Sequence, residues 1–321
     1  MERQRIPGLA VAVVQGSDVL IARGFGLANV EHQVPVTPDT IFQSGSLGKM
    51  FTAAGVMLLV EDGKIALADP IQKYLPDAPA SWSAVTVRHL LTHTSGIRDY
   101  TNGPLDLRKD YTEEQLAALT YGATLEFEPG AQFKYSNTGY LLLGIAIRKA
   151  SGKFYGDLLA ERVFTPLGMT TTRVISESAI VPHRAAGYTL VKNELRNQGW
   201  VSPSLNTTAD GALYFSLKDL LAWDAAVRGG RLLTAASWNA VFQPVRLTDG
   251  KASGYGFGWA IGTRGGQPVY RHGGAWQGFK THYALFHHNK LSVVVLANLQ
   301  QADPARIVDA IASAVESVPG K

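Results

Sequence analysis

The chain has 321 residues, 46% hydrophobic and 17% charged, enough apolar mass for a large core, which argues against a disordered or fibrous protein. Its formal net charge of +4 is scattered, without a basic run or stripe, so nucleic-acid binding is disfavoured. With no cysteine there is no disulfide or thiolate metal site, the eight histidines lack zinc-ligand spacing, and no uncharged apolar stretch reaches the roughly 18 residues of a membrane span.

The first predicted elements are strands over 9–14 and 19–22, flanking a Gln15-Gly16-Ser17-Asp18 hairpin turn. A nearly continuous apolar run predicts one buried helix over 46–62, capped by Ser44 and stopped by Gly63. Further helices are expected over 86–92, 112–121, 139–150, 154–163 and 217–228. Strands over 255–261, 269–272, 281–286 and 291–299 then lead to a helix over 304–315. The expected fold is α+β, an antiparallel sheet flanked by helices with an inserted mainly helical lobe. Residues 1–42 and 210–321 would form the sheet-containing lobe and 43–209 the helical one, with a cleft between them where a ligand site is expected.

Three separated segments carry chemistry. Ser46 and Lys49 stand three apart at a helix start, so they share a face, and the free N–H groups of the first turn favour a developing oxyanion. An amine buried in so apolar a helix needs a partner and can take the serine proton or hold a phenolate that does. A single Ser-x-x-Lys is a weak signal, and a capped helix with a snorkelling lysine is the bland alternative.

Tyr-x-Asn occurs twice. Tyr135-Ser136-Asn137 follows a Glu128-Pro129-Gly130 turn and opens an apolar helix, which would hold the phenol rigidly, whereas Tyr100-Thr101-Asn102 lies in a polar stretch and reads as an exposed loop aromatic. Finally, His272-Gly273-Gly274-Ala275-Trp276 reads as a strand end whose glycines admit close backbone approach, with the Ala275 N–H set to face that of Ser46 as an oxyanion pair. The histidine is evenly balanced between a structural and a catalytic role, and a glycine pair at a strand end is often only a tight turn.

In this order and at these separations the segments resemble the serine β-lactamase and penicillin-binding-protein superfamily, nearest its class C β-lactamase-like branch with family VIII carboxylesterases, D-alanyl-D-alanine carboxypeptidases and D-aminopeptidases. The resemblance runs over nearly the whole chain, including Ile6-Pro7-Gly8-Leu9-Ala10, residues 42–52, Leu90-Leu91-Thr92-His93-Thr94-Ser95-Gly96 and Gly254-Tyr255-Gly256-Phe257-Gly258-Trp259. It implies a β-lactamase/transpeptidase-like fold, Ser46 as acylated nucleophile, Lys49 as its proton partner and Tyr135 as general base. It further implies that Asn137 bonds substrate or the lysine, that Ser46 and Ala275 supply the oxyanion N–H groups, and that His272 and Gly274 line the third wall. His93 and Ser95 would belong to a structural turn. No metal or other cofactor is implied.

Where such lactamases carry a lysine and a hydroxyl residue, this chain has His272 and Gly273, which weakens the case for anionic β-lactams and favours uncharged esters or amides, with Arg271 a partial compensation. The expected activity is a serine carboxylesterase on short acyl esters, with a D-Ala-D-Ala carboxypeptidase, a D-aminopeptidase or a weak β-lactamase as alternatives. A non-catalytic penicillin-binding or scaffold protein is the competing class, and the intact Ser46, Lys49 and Tyr135 favour the enzyme. Among the aromatics, Trp200, Tyr214, Trp259 and Trp276 are candidates for the cleft rim, most of them better explained by core packing, with Trp276 the one next to the oxyanion donor. No signal peptide is read, and the chain starts almost directly on Ile6-Pro7-Gly8, so a processed or truncated start with periplasmic or secreted location is expected alongside a cytoplasmic one.

Overall fold

The computed structural model describes residues 1–317. In chain order its strands and helices are β1 (Gly8–Gln15), β2 (Asp18–Asn29), β3 (Val34–Pro35), β4 (Ile41–Gln43), α1 (Lys49–Glu61), α2 (Val87–Leu91), α3 (Glu113–Ala118), α4 (Asn137–Ser151), α5 (Tyr155–Leu159) and α6 (Thr165–Leu167). They continue with β5 (Arg173–Val174), β6 (Tyr188–Val191), β7 (Glu194–Asn197), β8 (Leu213–Ser216), α7 (Leu217–Arg228), α8 (Ala235–Val241), β9 (Ala260–Arg264), β10 (Gln267–Trp276), β11 (Phe279–Phe286), β12 (Leu291–Ala297) and α9 (Pro304–Glu316).

The main sheet has seven strands in the order β3-β2-β1-β12-β11-β10-β9, so the two ends of the chain pair at its centre, Val11 opposite Val295. β1 and β12 are apolar at nearly every position because both of their faces are covered. Ala10, Ala12, Val294 and Leu296 face the large core shared with α7 and the inserted helices, while Val11, Val13, Val293 and Val295 face α9 through Val308 and Ala312. α9 begins where Asp303 accepts the Arg306 N–H and Pro304 fills the first helical position. The large core also takes in α1, α4 and α5, whose buried faces meet one another.

Several expectations shift. The helix expected over 46–62 is a 3₁₀ turn, Gly45–Gly48, followed by α1, and Ser44 does not cap it. The Ser44 hydroxyl instead donates to the Gly211 carbonyl at 2.9 Å and accepts from the Leu213 N–H at 3.1 Å, tying the turn to the start of β8. Of the strand expected over 255–261 only its end, within β9, is extended. Gly254 and Gly258 take φ of 75° and 78°, turning the preceding stretch into a loop that buries Tyr255, Phe257 and Trp259. The β6–β7 hairpin and α8 were not foreseen. For the domain organisation, a sheet lobe of 1–42 and 210–321 around an inserted 43–209 stays a proposal; every strand of the seven-stranded sheet comes from the two outer segments.

Candidate active site

Ser46 stands in the 3₁₀ turn ahead of α1, pressed against the end of β10. The approach is close enough that a Cβ on Gly45 would meet the Ala275 nitrogen, and one on Gly274 would strike the Ser44 carbonyl and come within 3.0 Å of the Leu47 nitrogen. The Thr281 hydroxyl on β11 donates to that same Ser44 carbonyl at 2.7 Å and pins the turn to the sheet. β10 and β11 close on Trp276 and Phe279, so Ala275 is one residue back from the closing pair and its N–H alternates away from β11, toward the Ser46 turn. Gly274 and Ala275 thus lie where the sequence placed them.

Lys49 begins α1 and is fully buried, yet its amine is not stranded. Nζ lies 3.1 Å from Ser46 Oγ, 2.8 Å from Asn137 Oδ1, and bonds the Asp210 carbonyl oxygen. Two of these three acceptors, an amide and a peptide carbonyl, have no proton to give. The third position, toward Ser46, is therefore the one across which a proton can be exchanged. The rings of Tyr135 and Tyr140 flank the amine, their centroids 5.0 Å and 5.5 Å away.

Tyr135 immediately precedes the Ser136 that starts α4, and at 37% exposure it opens into the same cleft as Ser46. Its back is held by His93, whose ring lies 4.2 Å from it at 34°. His93 takes a φ of 57° in the His-Thr-Ser-Gly turn, and its Nδ1 accepts the Ser136 N–H at 3.2 Å. Burial, with the Lys49 charge adding to it, pushes His93 well below the ordinary histidine range, so it packs as a neutral ring. His93 and Ser95 are both buried in this turn, where the Ser95 hydroxyl accepts the nearby Ile97 N–H.

His272 is equally buried. Nδ1 lies 2.7 Å from its neighbour's carbonyl, at Gly273, so that nitrogen carries the hydrogen, and Nε2 accepts from the Tyr255 hydroxyl at 2.8 Å. Burial first, and then the Lys49 charge, lower its pKa to about 3. The third wall is therefore uncharged near neutral pH. Arg271 does not compensate, because strand alternation sends it to the opposite face of the sheet, 3.9 Å from Asp309 on α9.

Ser46 sits between two depressions. One, of about 440 Å³, is walled by Leu105, Leu107, Leu205 and Trp276, with Asn137 and Asp210 also on its lining. The other, of about 490 Å³, runs past Tyr135 and His272 between β11 and the start of α9, where Lys280, His282 and Asp303 line it. In the first depression Trp276 is fixed by an Nε1–H bond to Asn206 Oδ1 at 2.6 Å. Tyr214 and Trp259 are core residues, and Trp200, 62% exposed, lines neither depression.

The reading of Tyr100 as an exposed loop aromatic is corrected. It is buried, lines the first depression, and donates its hydroxyl to Asp210 Oδ2 at 2.9 Å. Asp99 and Asp210 were missed altogether. Asp99 carried a signal, since Asp99-x-Thr101 is an Asx-type cap for the short 3₁₀ helix Tyr100–Asn102, but polar composition says only that a segment is a loop, not what the loop covers.

The family model described as Beta-lactamase matches residues 1–316. Penicillin-binding protein 4* of Bacillus subtilis is 31% identical over 317 residues, covering 94% of this chain and 70% of that protein. A D-aminopeptidase of Gluconobacter oxydans is 30% identical over 319 residues, covering 96% of this chain and 59% of its own length. Among solved structures, the octameric penicillin-binding protein homologue from Pyrococcus abyssi superposes with a TM-score of 0.86 at 30% identity, over 100% of this chain and 76% of that one.

Proposed function

The chain belongs to the Beta-lactamase family, within the serine β-lactamase and penicillin-binding-protein superfamily, and from that premise we propose that it hydrolyses small amides and esters through an acyl-enzyme on Ser46. The observation that carries the proposal is the buried Lys49 amine, held by Asn137 and Asp210 so that its one exchangeable position meets Ser46 Oγ at 3.1 Å. Ser46 Oγ attacks the substrate carbonyl while its proton passes into the Lys49–Tyr135 pair. The oxyanion is held by the N–H groups of Ser46 and Ala275. Tyr135, open to the cleft and backed by His93, delivers the proton to the leaving group and then takes one from the water that cleaves the ester.

Our first substrate reading is an aminoacyl amide or short peptide. It rests on the likeness to a D-aminopeptidase and on a His272 that is neutral and so adds no attraction for anionic β-lactams. A carboxylesterase on short acyl esters is the second reading, favoured by the leucines and Trp276 that wall one side of the nucleophile. Rates on D-alanine p-nitroanilide, p-nitrophenyl butyrate and a chromogenic cephalosporin, with Ser46→Ala as blank, decide between them. We expect Ser46-dependent turnover of the anilide and the ester, the anilide being the better substrate and the cephalosporin the poorest. A dominant ester rate selects the second reading, and stoichiometric labelling by penicillin without turnover of any substrate would replace both with a binding protein.

A further inference from the structure

The Leu105–Trp276 depression has one charged residue on its lining, Asp210. Its backbone is part of the nucleophile's surroundings: the Asp210 carbonyl takes a bond from the Lys49 amine that also touches Ser46, and a Cβ on the next residue, Gly211, would lie 2.9 Å from the Ser46 nitrogen. The carboxylate points elsewhere. It is 9% exposed, and its side-chain partner among the described residues is the Tyr100 hydroxyl, which donates to Oδ2. Oδ1 has no hydrogen-bond partner among the described residues, and no lysine, arginine or histidine of them forms an ion pair with the carboxylate.

A carboxylate held nearly out of water, with one oxygen fixed and the other unmatched, calls for a cation with hydrogens to donate. Lys49 does not fill that role, since it bonds the Asp210 peptide oxygen rather than the side chain. Leu105, Leu107, Leu205 and Trp276 on the same lining, beside the polar Thr101, Thr208 and Asn137, suit an apolar body around that cation. We propose that Asp210 is the specificity-determining residue of the acyl side and binds the free primary ammonium of an aminoacyl group, so that the enzyme acts on substrates with an unblocked amino terminus. The inference rests on the acyl-enzyme reading of Ser46 and names the substrate class of that same site. Tyr100 acts through Asp210, as a positioning residue that fixes the carboxylate's orientation.

The test compares three p-nitroanilides on the full chain: D-alanyl, N-acetyl-D-alanyl, and isobutyryl, in which a methyl replaces the ammonium at nearly constant shape. In the wild type, kcat/KM for D-alanyl should exceed that for each of the other two by at least about tenfold, the scale of one charge-assisted hydrogen bond. In Asp210→Asn the ratio of D-alanyl to isobutyryl should fall toward unity, and in Tyr100→Phe it should fall by a few-fold. The wild-type ratios need no variant to fold. Equal or better turnover of the isobutyryl or acetylated compound overturns the inference while leaving the hydrolase standing, as does an unchanged ratio in Asp210→Asn. Absence of any Ser46-dependent turnover, esters included, sinks the acyl-enzyme reading and this inference with it.

Discussion

Asp99 holds Asn137 by two of its N–H groups at once: Oδ2 accepts the backbone N–H at 2.7 Å and the side-chain Nδ2–H at 3.1 Å. The carboxylate thereby does what the Ser136 side chain does not, satisfying a free N–H at the start of α4, and it also decides which way the Asn137 amide faces. With Nδ2 turned to Asp99, Oδ1 must face Lys49, where it accepts at 2.8 Å. Asp99 is therefore a positioning residue for the Lys49 amine beside Ser46.

Asp99→Ala should lower kcat on a nitrophenyl ester by about tenfold to a hundredfold, corresponding to the ~1.5–3 kcal/mol of a hydrogen bond to a charged group, with KM nearly constant. Asp99→Asn keeps an acceptor oxygen for the backbone N–H and should recover part of the rate. Steady-state kinetics of both variants beside their melting curves separate positioning from mere stability. A loss of melting temperature with unchanged kcat would refute the assignment.

The fold and half of the candidate site were legible in the sequence for one reason: they are written in local patterns. The apolar runs of β1 and β12, the Pro304 helix start and the Ser46-x-x-Lys49 spacing are each visible within a few residues. What stayed hidden depends on where loops land. Tyr100 and Asp210 are 110 positions apart and meet only because one polar loop folds over the cleft. The Tyr255 stretch misled in the opposite direction, since its alternating aromatics imitate a strand while positive-φ glycines make it a loop. Arg271 failed as a compensating cation through the period of two that sends neighbours to opposite faces.

Gly274→Ala should damage the site more than its one methyl suggests. The added Cβ would strike the Ser44 carbonyl and lie 2.5 Å from Thr281 Oγ1, atoms bonded to each other and so unable to give way separately. The strand must withdraw from the Ser46 turn, which moves the Ala275 N–H away from the proposed oxyanion position. We expect kcat to fall about a hundredfold or more, the cost of one lost oxyanion donor, and stability to fall by about 1–3 kcal/mol. Ester hydrolysis and urea unfolding measure the two effects, and a variant with wild-type kcat would show that Ala275 is not a donor.

Trp276→Ala removes an indole anchored on Asn206 from the wall of the leucine-lined depression. Bulky acyl groups would then have less apolar surface to bury against, so KM for a nitrophenyl hexanoate should rise by about tenfold or more, while a nitrophenyl acetate, too short to reach the indole, changes by less than about threefold. Parallel changes on both esters would place Trp276 outside the acyl side.

Glu113 gives a pH dependence of stability that can be worked out in sign. It opens α3 with its side chain 14% exposed, Oε1 has no hydrogen-bond partner among the described residues, and Arg148 reaches Oε2 only at 3.5 Å. Burial raises its pKa from 4.5 to about 7, against the opposing pull of Arg148. Between those two values the folded chain keeps a proton that the unfolded chain has released. Raising the pH through this window therefore removes stability, fully present below 4.5 and gone above about 7, on the order of 3 kcal/mol. Glu113→Gln cannot titrate and should lose nothing at this site. Urea unfolding of both proteins at pH 5 and pH 8 should show the wild type weakening relative to the variant by about that amount at the higher pH. Unfolding curves that shift in parallel would mean the Glu113 carboxyl ionises in the folded chain as it does in water.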